Sequence, residues 1–493
     1  MLTATSYKEK YRPQFHYSPP KAWLNDPNGM VYYEGEYHLF YQHHPHGDVW
    51  GPMHWGHAVS ADLVHWEQLP IALAPDENGY IFSGSAVVDR NDTSGFFGGG
   101  SGLVAIFTHH LDVADGRSVQ RQSLAYSADK GRTWTMYAGN PVLEDARFVD
   151  FRDPKVFWDE GAQRWRMVLA AGDRVAFYSS PNLVDWTFGS EFGMTEGSHA
   201  GVWECPDLFE LDVENEEGVR KWVLLVSIGD DPDAPEGSRT QYFVGSFDGE
   251  RFVNDASPET VLWLDHGRDN YAGVTWSDIP AEDGRKLFIG WMSNWKYANL
   301  TPTDGWRSAM TLPRTLSLRS DGGQLRLVQR PAAELASLRE EPACRLRDVR
   351  LEPGDDPLRG VSADRCEIEA EFELGDAEEL GIAVRAGSGE RTVVGYDAVR
   401  RTLFVDRTQS GAAAFHPAFA CRHDAPYEPE AGGRIKLRLF VDWSSVEAFA
   451  GDGELVMTDL IFPDPASTGL SLYARNGGAT VVSLQVYPMR SIW

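Results

Sequence analysis

The stretch SADLVHW, residues 60–66, recurs in altered form as SADKGRTW (127–134), SPNLVDW (180–186) and SFDGERF (246–252). Each copy follows a β-type run, and each joins a polar turn to an aromatic residue that begins the next strand. Chance could produce any one copy, but four copies in order indicate a repeat. A spacing of 53 to 67 residues is typical of β-propeller blades with long loops.

Short strand-like runs fill the rest of the chain, and long helical periodicity is nearly absent. RPAAELASLREEPA, residues 330–343, is rich in Ala, Leu and Glu and predicts a short connecting helix. The closely spaced strands beyond it are typical of a β-sandwich. The sequence therefore predicts an all-β protein with a propeller over residues 1–325, a linker with a short helix over 326–345, and a β-sandwich over 346–493.

Composition narrows the range of partners. The 493 residues carry a formal charge of −28 and a pI near 4.8, which disfavours binding to nucleic acid or to an anionic membrane surface. No apolar run is long enough to span a bilayer, and the N-terminus lacks the apolar core of a secretory signal. We therefore expect a cytoplasmic protein, or a secreted one if the chain has been trimmed. The oligomeric state cannot be read from the sequence.

The four cysteines form no CxxC pair, so we expect reduced thiols, no zinc knuckle and no cofactor. The cluster His43, His44 and His46, with His54 and His57 nearby, raises the alternative of a metal site. The HxxH spacing lies in strand-like sequence instead of on a helix, so we expect no metal. His43 or His44 is instead expected at the rim of a pocket.

Three acids stand next to prolines in aromatic surroundings. Asp26 lies in WLNDPNG, Asp153 in DFRDPKVFW, and Glu204 in VWECPDLFEL. Proline holds its neighbour in extended geometry and cannot donate to a central ladder, so we expect each acid where a strand frays at the central channel. Paired carboxylates are the apparatus of glycoside hydrolysis, and apolar walls separate their pKa values.

These three motifs, in this order, resemble the hallmark motifs of glycoside hydrolase family 32, the invertases, inulinases and levanases. GDVWGPMHWGHAVSADLVHWEQLPIAL, WRSAMTLPR and WSSVEAFAGDG extend the resemblance over essentially the whole chain. The family architecture implies a five-bladed propeller followed by a β-sandwich. The resemblance also implies that Asp26 is the nucleophile, Glu204 the general acid/base, and Asp153 the acid that binds fructose hydroxyls. The retaining route needs the first two roughly 5–5.5 Å apart.

The resemblance implies further contacts with the fructosyl unit. Polar contacts are expected from Asn25, Gln42, Ser83 and Arg152. Aromatic walls are expected from Trp23, Trp50, Phe82 and Trp291, with Tyr271 in another family-like stretch; ordinary packing is the competing account, above all for Trp23 and Phe82.

WMSNWKYANLTPTDGWRSAMTLPR, residues 291–314, resembles the fructan-hydrolysing members of the family. We therefore expect an exo-acting β-fructosidase that releases terminal fructose from levan or inulin, and from sucrose, with an oligo- or polysaccharide as its binding partner. A fructosyltransferase, or a hydrolase that releases levanbiose, would use the same three acids. A non-catalytic fructan-binding module would lack one of them. The linkage preference between β-2,6 and β-2,1 is not readable from the sequence.

Overall fold

The computed structural model describes residues 7–113 and 116–493. Its regular structure is almost entirely β, with five successive sheets between residues 22 and 331 and two more over residues 344–488. The described helices are two short 3₁₀ segments, Ala298–Leu300 and Ala333–Leu338. The predicted all-β class is confirmed. No helix in the described ranges has the length and apolar character needed to cross a bilayer.

The five N-terminal sheets follow chain order, except that β20 (Trp306–Arg307) joins sheet 1. Sheet 1 contains β1 (Ala22–Tyr33), β2 (Glu36–His44), β3 (His54–Ser60), β4 (Glu67–Leu73) and β20 (Trp306–Arg307). Sheet 2 contains β5 (Tyr80–Asp89), β6 (Gly102–Asp112), β7 (Ser118–Ser127) and β8 (Thr135–Met136). Sheet 3 contains β9 (Phe151–Asp159), β10 (Arg164–Ala171), β11 (Val175–Ser180) and β12 (Thr187–Phe192). Sheet 4 contains β13 (Trp203–Asp212), β14 (Arg220–Ile228), β15 (Arg239–Phe247), β16 (Phe252–Asn254) and β17 (Leu262–Trp263). Sheet 5 contains β18 (Tyr271–Thr275), β19 (Lys286–Met292), β21 (Ala309–Met310), β22 (Arg314–Asp321) and β23 (Gln324–Pro331).

The four sequence repeats form the same element in four sheets, namely the turn between the third and fourth strands. In the first copy the hydroxyl of Ser60 donates to Asp62 at 3.0 Å, and the Asp62 carboxylate accepts the backbone N–H groups of Val64 and His65. This side-chain capping of the turn explains why Ser and Asp recur at fixed positions.

The first strands of the five sheets pack side by side. β1 contacts β5, β5 contacts β9, β9 contacts β13, β13 contacts β18, and β18 contacts β1. Residues far apart in the sequence therefore meet along one ring of inner strands.

Two sheets make up the C-terminal region. Sheet 6 contains β24 (Cys344–Leu351), β34 (Ala479–Pro488), β25 (Cys366–Glu373), β30 (Arg434–Val441), β31 (Ser445–Ala450) and β32 (Leu455–Leu460). Sheet 7 contains β29 (Arg422–Pro426), β28 (Thr402–Gln409), β27 (Arg391–Asp397), β26 (Glu379–Ala386) and β33 (Gly469–Arg475). Alternating apolar residues of both sheets share one buried core.

A strand and a short 3₁₀ helix occupy the predicted boundary region. β23 runs to Pro331, beyond the predicted domain end at residue 325, because Leu327 is buried and β23 pairs with β22 along its whole length. Helix forms only over Ala333–Leu338, which is shorter than the predicted segment 330–343.

A fully buried network of charged groups, which we call the interface network, joins the N-terminal and C-terminal sheets. Arg314 donates to Glu447 at 2.6 Å and to Asp265 at 3.2 Å, and Arg407 donates to Asp269 at 2.6 Å. Apolar residues of both regions pack around these groups. The interface between the two regions therefore combines apolar packing with buried ion pairs.

His16 belongs to the same network. Its Nδ1 lies 2.8 Å from Asp442 and its Nε2 lies 3.0 Å from Glu447, and all three side chains are fully buried. Burial opposes the charge on the imidazole, but the two carboxylates outweigh it and raise the pKa of His16 to about 9. The histidine is therefore a cation at neutral pH.

Candidate active site

All five inner strands bulge at one level of the ring. Pairing is interrupted at residues 24–27, 81–84, 152–155, 204–207 and 271–274. Asp26 and Asp153 lie in these bulges and Glu204 borders one, all inside their strands, and the expectation of frayed strand ends is wrong. A bulge frees residues from the ladder, so it accommodates the neighbouring prolines without ending the strand and redirects the side chains.

Asp26 is held by two donors. Asn25 donates to its Oδ1 at 3.0 Å and Ser83 donates to its Oδ2 at 2.8 Å, while the indole N–H of Trp23 donates to Asn25 at 2.7 Å. Burial and the nearby charge of Glu204 raise the pKa of Asp26, although the two hydrogen bonds oppose this. The carboxylate is held in position, but its hydrogen bonds offset only part of the effect of burial on its pKa.

Asp153 is more deeply buried. Its φ of +63° lies in the left-handed region that is uncommon for residues other than glycine. The backbone N–H of Cys205 donates to Oδ2 at 2.9 Å, and the backbone N–H of Asp153 donates to Thr108 at 3.0 Å. Burial raises the pKa of Asp153 to about 7, against the attraction of Arg152 and with help from the charge of Glu204.

Glu204 extends toward the solvent side of the site, with 22% of its side chain exposed. Arg152 donates to its Oε1 at 2.8 Å, and the hydroxyl of Tyr271 donates to its Oε2. Arg152 also lies 3.8 Å from Asp153 and donates to Asp150 and Gln120. One guanidinium therefore connects two of the three acids.

The sulfur of Cys205 lies between Asp26 and Asp153. It is 3.6 Å from Oδ2 of Asp26 and 3.6 Å from Oδ2 of Asp153. Burial and the surrounding carboxylates raise the pKa of the Cys205 thiol well above its usual value, so it remains a neutral donor. The three acids thus converge on one site, as the motifs predict. Such an arrangement can supply a nucleophile, a proton donor and a group that binds hydroxyls.

The predicted aromatic residues divide into two groups. Trp23, Trp291 and Tyr271 are buried, with ring centroids about 6 Å apart, and they support the inner side of the site. Trp50 is 42% exposed, and its ring lies 6.3 Å from that of Phe82. The exposed indole suits contact with a bound molecule, whereas the buried rings are partly structural.

Gln42 does not contact the three acids. Its amide donates to Asn28 at 2.7 Å and to the carbonyl of Ile81 at 3.0 Å, which ties β2 to β1 and β5. In this structure Gln42 braces neighbouring inner strands.

The histidine cluster binds backbone carbonyls. Nδ1 of His43 lies 2.6 Å from the carbonyl of Trp23, Nδ1 of His44 lies 2.9 Å from that of Val49, and Nδ1 of His54 lies 3.0 Å from that of Pro52. No group of three or more potential ligands in residues 7–113 and 116–493 is arranged to hold a metal ion. His43 is buried beside the Trp23 backbone, and His44 is only half-buried.

Three contacts were not predicted from the sequence: the Cys205 sulfur, Thr108 and Gln120. Cys205 follows Glu204 directly, so its position was a usable signal. Thr108 and Gln120 reach the site from β6 and β7, and no local motif marks them.

A large cavity of about 920 Å³ lies away from the acids and is lined by Lys155, Asp207 and Lys286 among others. Lys155 also lines a small cavity together with Ser83 and Asp153. Lys155 donates to the carbonyl of Thr275 at 2.5 Å and lies 3.2 Å from Asp207. These buried contacts lie between the two cavities, so packed side chains form a floor beneath the acids.

Comparison with known proteins agrees with this geometry. The family model described as the glycosyl hydrolases family 32 N-terminal domain matches residues 16–331, and the family 32 C-terminal model matches residues 334–488. The chain belongs to glycosyl hydrolase family 32. This family 32 chain is therefore a glycoside hydrolase, and the resemblance seen in its motifs is confirmed.

Individual relatives match along nearly the whole family 32 chain. A levanase of Bacillus subtilis (strain 168) is 55% identical over 492 residues, covering 99% of this chain and 72% of the relative. An extracellular exo-inulinase of Aspergillus awamori is 39% identical, covering 99% of this chain and 96% of that protein.

Solved structures are similar in fold as well. The crystal structure of exo-inulinase from Aspergillus awamori has a TM-score of 0.92 at 38% identity, covering 99% of this family 32 chain and 100% of the other. A β-fructofuranosidase from Schwanniomyces occidentalis, complexed with fructosyl-erythritol, has a TM-score of 0.88 at 30% identity, covering 100% and 99%.

Proposed function

We propose that the chain is a retaining exo-β-fructosidase that hydrolyses terminal β-D-fructofuranosyl residues of fructans, namely levan and inulin, and of sucrose. The observation that carries the proposal is the convergence of Asp26, Asp153 and Glu204 in one site through Cys205 and Arg152. The relatives named levanase and exo-inulinase support the substrate class.

Each acid has an environment suited to one step. Asp26, oriented by Asn25 and Ser83, attacks the anomeric carbon of the fructosyl unit. Glu204, on the more exposed side, protonates the leaving oxygen and then deprotonates the incoming water. Tyr271 and Arg152 fix its two oxygens in the direction of that transfer.

Asp153 is assigned to the hydroxyls of the bound fructose. Its pKa near 7 means that a large share of the carboxyl is neutral at neutral pH, so it can both donate and accept a hydrogen bond. Contacts with sugar hydroxyls that strengthen as the oxocarbenium-like transition state forms would lower the barrier.

Exo action is supported by the floor beneath the acids. Only a small cavity separates Asp153 from the packed layer that contains Lys155, so a fructosyl unit would enter from one side. Trp50 lies on the exposed side, where the leaving sugar and the rest of a chain would extend.

We also propose a domain arrangement. Sheets 1–5 form a five-bladed β-propeller around the ring of inner strands, and sheets 6 and 7 form a β-sandwich. The boundary falls after Pro331 and not at residue 325, since β23 completes sheet 5.

The test measures sugar release from sucrose, inulin and levan side by side, with chain-length analysis of the products. Free fructose as the first product from all three supports the proposal. Levanbiose as the main product from levan would overturn exo action, and dominant oligosaccharide synthesis at high sucrose would make the chain a fructosyltransferase.

The residue roles are tested with Asp26→Ala and Glu204→Ala, which should each lower kcat by several orders of magnitude while the protein remains folded. Asp231→Ala is the matched control, since Asp231 also precedes a proline but caps a turn through the N–H of Asp233. Near-normal activity in Asp26→Ala or Glu204→Ala would contradict the assignment.

A further inference from the structure

A second cluster of reactive groups lies in the C-terminal sheets, away from the three acids. Sγ of Cys421 is 3.7 Å from Nδ1 of His423, and Nε2 of His423 is 2.9 Å from Oδ2 of Asp459. The thiol therefore contacts the imidazole, and the imidazole contacts the carboxylate. In this order an imidazole can hold the proton of a thiol while the carboxylate orients the ring.

A buried cation completes the surroundings. Arg407 lies 3.5 Å from Oδ1 of Asp459 and 2.6 Å from Asp269, and its backbone N–H donates to the carbonyl of Cys421. Burial opposes charge on the Cys421 thiol, but the hydrogen bond to His423 and the charge of Arg407 outweigh it, so the pKa of this thiol is lowered. Burial likewise opposes the imidazolium, but Asp459 raises the pKa of His423.

The other three cysteines lack such partners for a thiolate. Cys205 and Cys366 are buried, and burial raises the pKa of both thiols, that of Cys366 to about 12. Cys344 is half-buried like Cys421, but burial raises its pKa. Cys344 is therefore the control, a partly exposed thiol without a neighbouring His–Asp pair.

Cys421 is also close to open space. It is half-buried, and the preceding residue, Ala420, lines a cavity of about 510 Å³ together with Pro302, Gly411 and Phe415. Small side chains, Ala412 to Ala414, form much of the remaining wall. A small reagent can therefore approach this part of the chain.

We propose that Cys421 is a thiol-modification site, at which the Cys421–His423–Asp459 cluster promotes exchange with low-molecular-weight disulfides. The proton of the thiol is held by His423. The thiolate attacks one sulfur of the disulfide R–S–S–R, a new bond forms between that sulfur and Sγ of Cys421, the R–S–S–R bond breaks, and R–S⁻ leaves. The disulfide is the oxidant, and the product is a mixed disulfide on Cys421.

The test treats the intact native chain with 2,2′-dipyridyl disulfide, a neutral reagent that the net negative charge of the protein does not repel. The release of pyridine-2-thione gives the rate, and peptide mapping identifies the modified residue. At pH 6 we expect Cys421 to react more than twofold faster than Cys344, since a thiol with a lowered pKa has a larger thiolate fraction than one with a raised pKa.

Three variants test whether the fast reaction depends on the Cys421–His423–Asp459 cluster or only on the exposure of the thiol. Cys421→Ser should remove the fast phase and Cys344→Ser should retain it. His423→Gln should slow the reaction at pH 6 by roughly tenfold and move the pH of half-maximal rate upward, toward that of an ordinary thiol. Labelling of Cys344 first, a fast phase that persists in Cys421→Ser, or wild-type rates that differ by less than twofold between the two sites would overturn the proposal.

Discussion

The active site and the interface network both bury charged side chains, but they differ in how far each charge is balanced by a partner of opposite sign. In the interface network each charge has a partner of opposite sign: Arg314 binds Glu447 and Asp265, and His16 lies between Asp442 and Glu447. In the active site Arg152 lies beside two of the three carboxylates, Asp153 and Glu204, and the hydrogen-bond donors to Asp26 are neutral.

The pKa directions express this difference. Burial opposes ionisation of Asp442 and Glu447, but their partners outweigh it and the pKa values of both carboxyls are lowered. Burial raises the pKa values of Asp26 and Asp153, which no partner fully offsets. The interface network therefore stabilises particular charges in the folded state, whereas the active site holds its carboxylates in a less stable state that a substrate can relieve.

The largest expected effect is at Asp153, where a substitution should lower activity without lowering stability. Asp153→Asn should lower kcat by about 10⁴-fold, equivalent to roughly 5 kcal/mol of barrier, because it alters the group assigned to the transition state. The pKa of Asp153 is raised from an ordinary value of 3.8 to about 7 in the folded state. The stability linked to its protonated form is therefore complete below pH 3.8 and is lost as the pH rises through 7. At pH 8 the variant should therefore be at least as stable as the wild type in urea unfolding. A large loss of stability would show that Asp153 stabilises the fold, as the charges of the interface network do, and would contradict the comparison.

Arg314→Met should show the opposite result. Removing this buried cation takes the guanidinium away from Asp265 and leaves His16 as the remaining cation beside Glu447, and such changes cost about 3–5 kcal/mol of unfolding free energy. Arg434→Met is the control, since Arg434 also pairs with two carboxylates but is 44% exposed, and it should cost under about 1 kcal/mol. Denaturant unfolding measures both, and equal losses in the two variants would contradict this interpretation.

The same comparison indicates how much could be predicted from the sequence. Local signals predicted the β class, the four hairpin turns and the three acids, because a turn cap or an acid beside proline is encoded within a few residues. The partners of those acids were harder to find. Thr108 and Cys205 meet Asp153 only because β6 and β13 neighbour β9.

The interface network could not be predicted at all. His16 and Asp442 are 426 residues apart, and nothing near either residue marks the pairing. The end of β23 has a related cause, since pairing with β22, and not local composition, extends this strand to Pro331.

A smaller effect concerns pH and His16. With a folded-state pKa of about 9 and an ordinary value of 6.5, the histidine contributes stability that is complete below pH 6.5 and is lost as the pH rises through 9. The contribution is of the order of 3 kcal/mol. Urea unfolding of the wild type minus that of His16→Gln should show this decrease between pH 6.5 and pH 9. A difference that does not change with pH would show that His16 is neutral and acts by packing alone.

The smallest effect is expected at Trp50, which is outside the group of carboxylates and carries no charge. Its indole is 42% exposed beside Phe82, so Trp50→Ala should remove a contact with the departing sugar worth about 1 kcal/mol and raise KM about fivefold, with kcat nearly unchanged. Phe188→Ala is the matched control, because Phe188 is 46% exposed on β12, away from the acids. The rise in KM should be greater for levan or inulin than for sucrose, since only a longer chain extends past the rim. An equal rise for all three substrates would place Trp50 against the fructosyl unit itself, and a kcat that falls with an unchanged KM would make it part of the group that positions the acids.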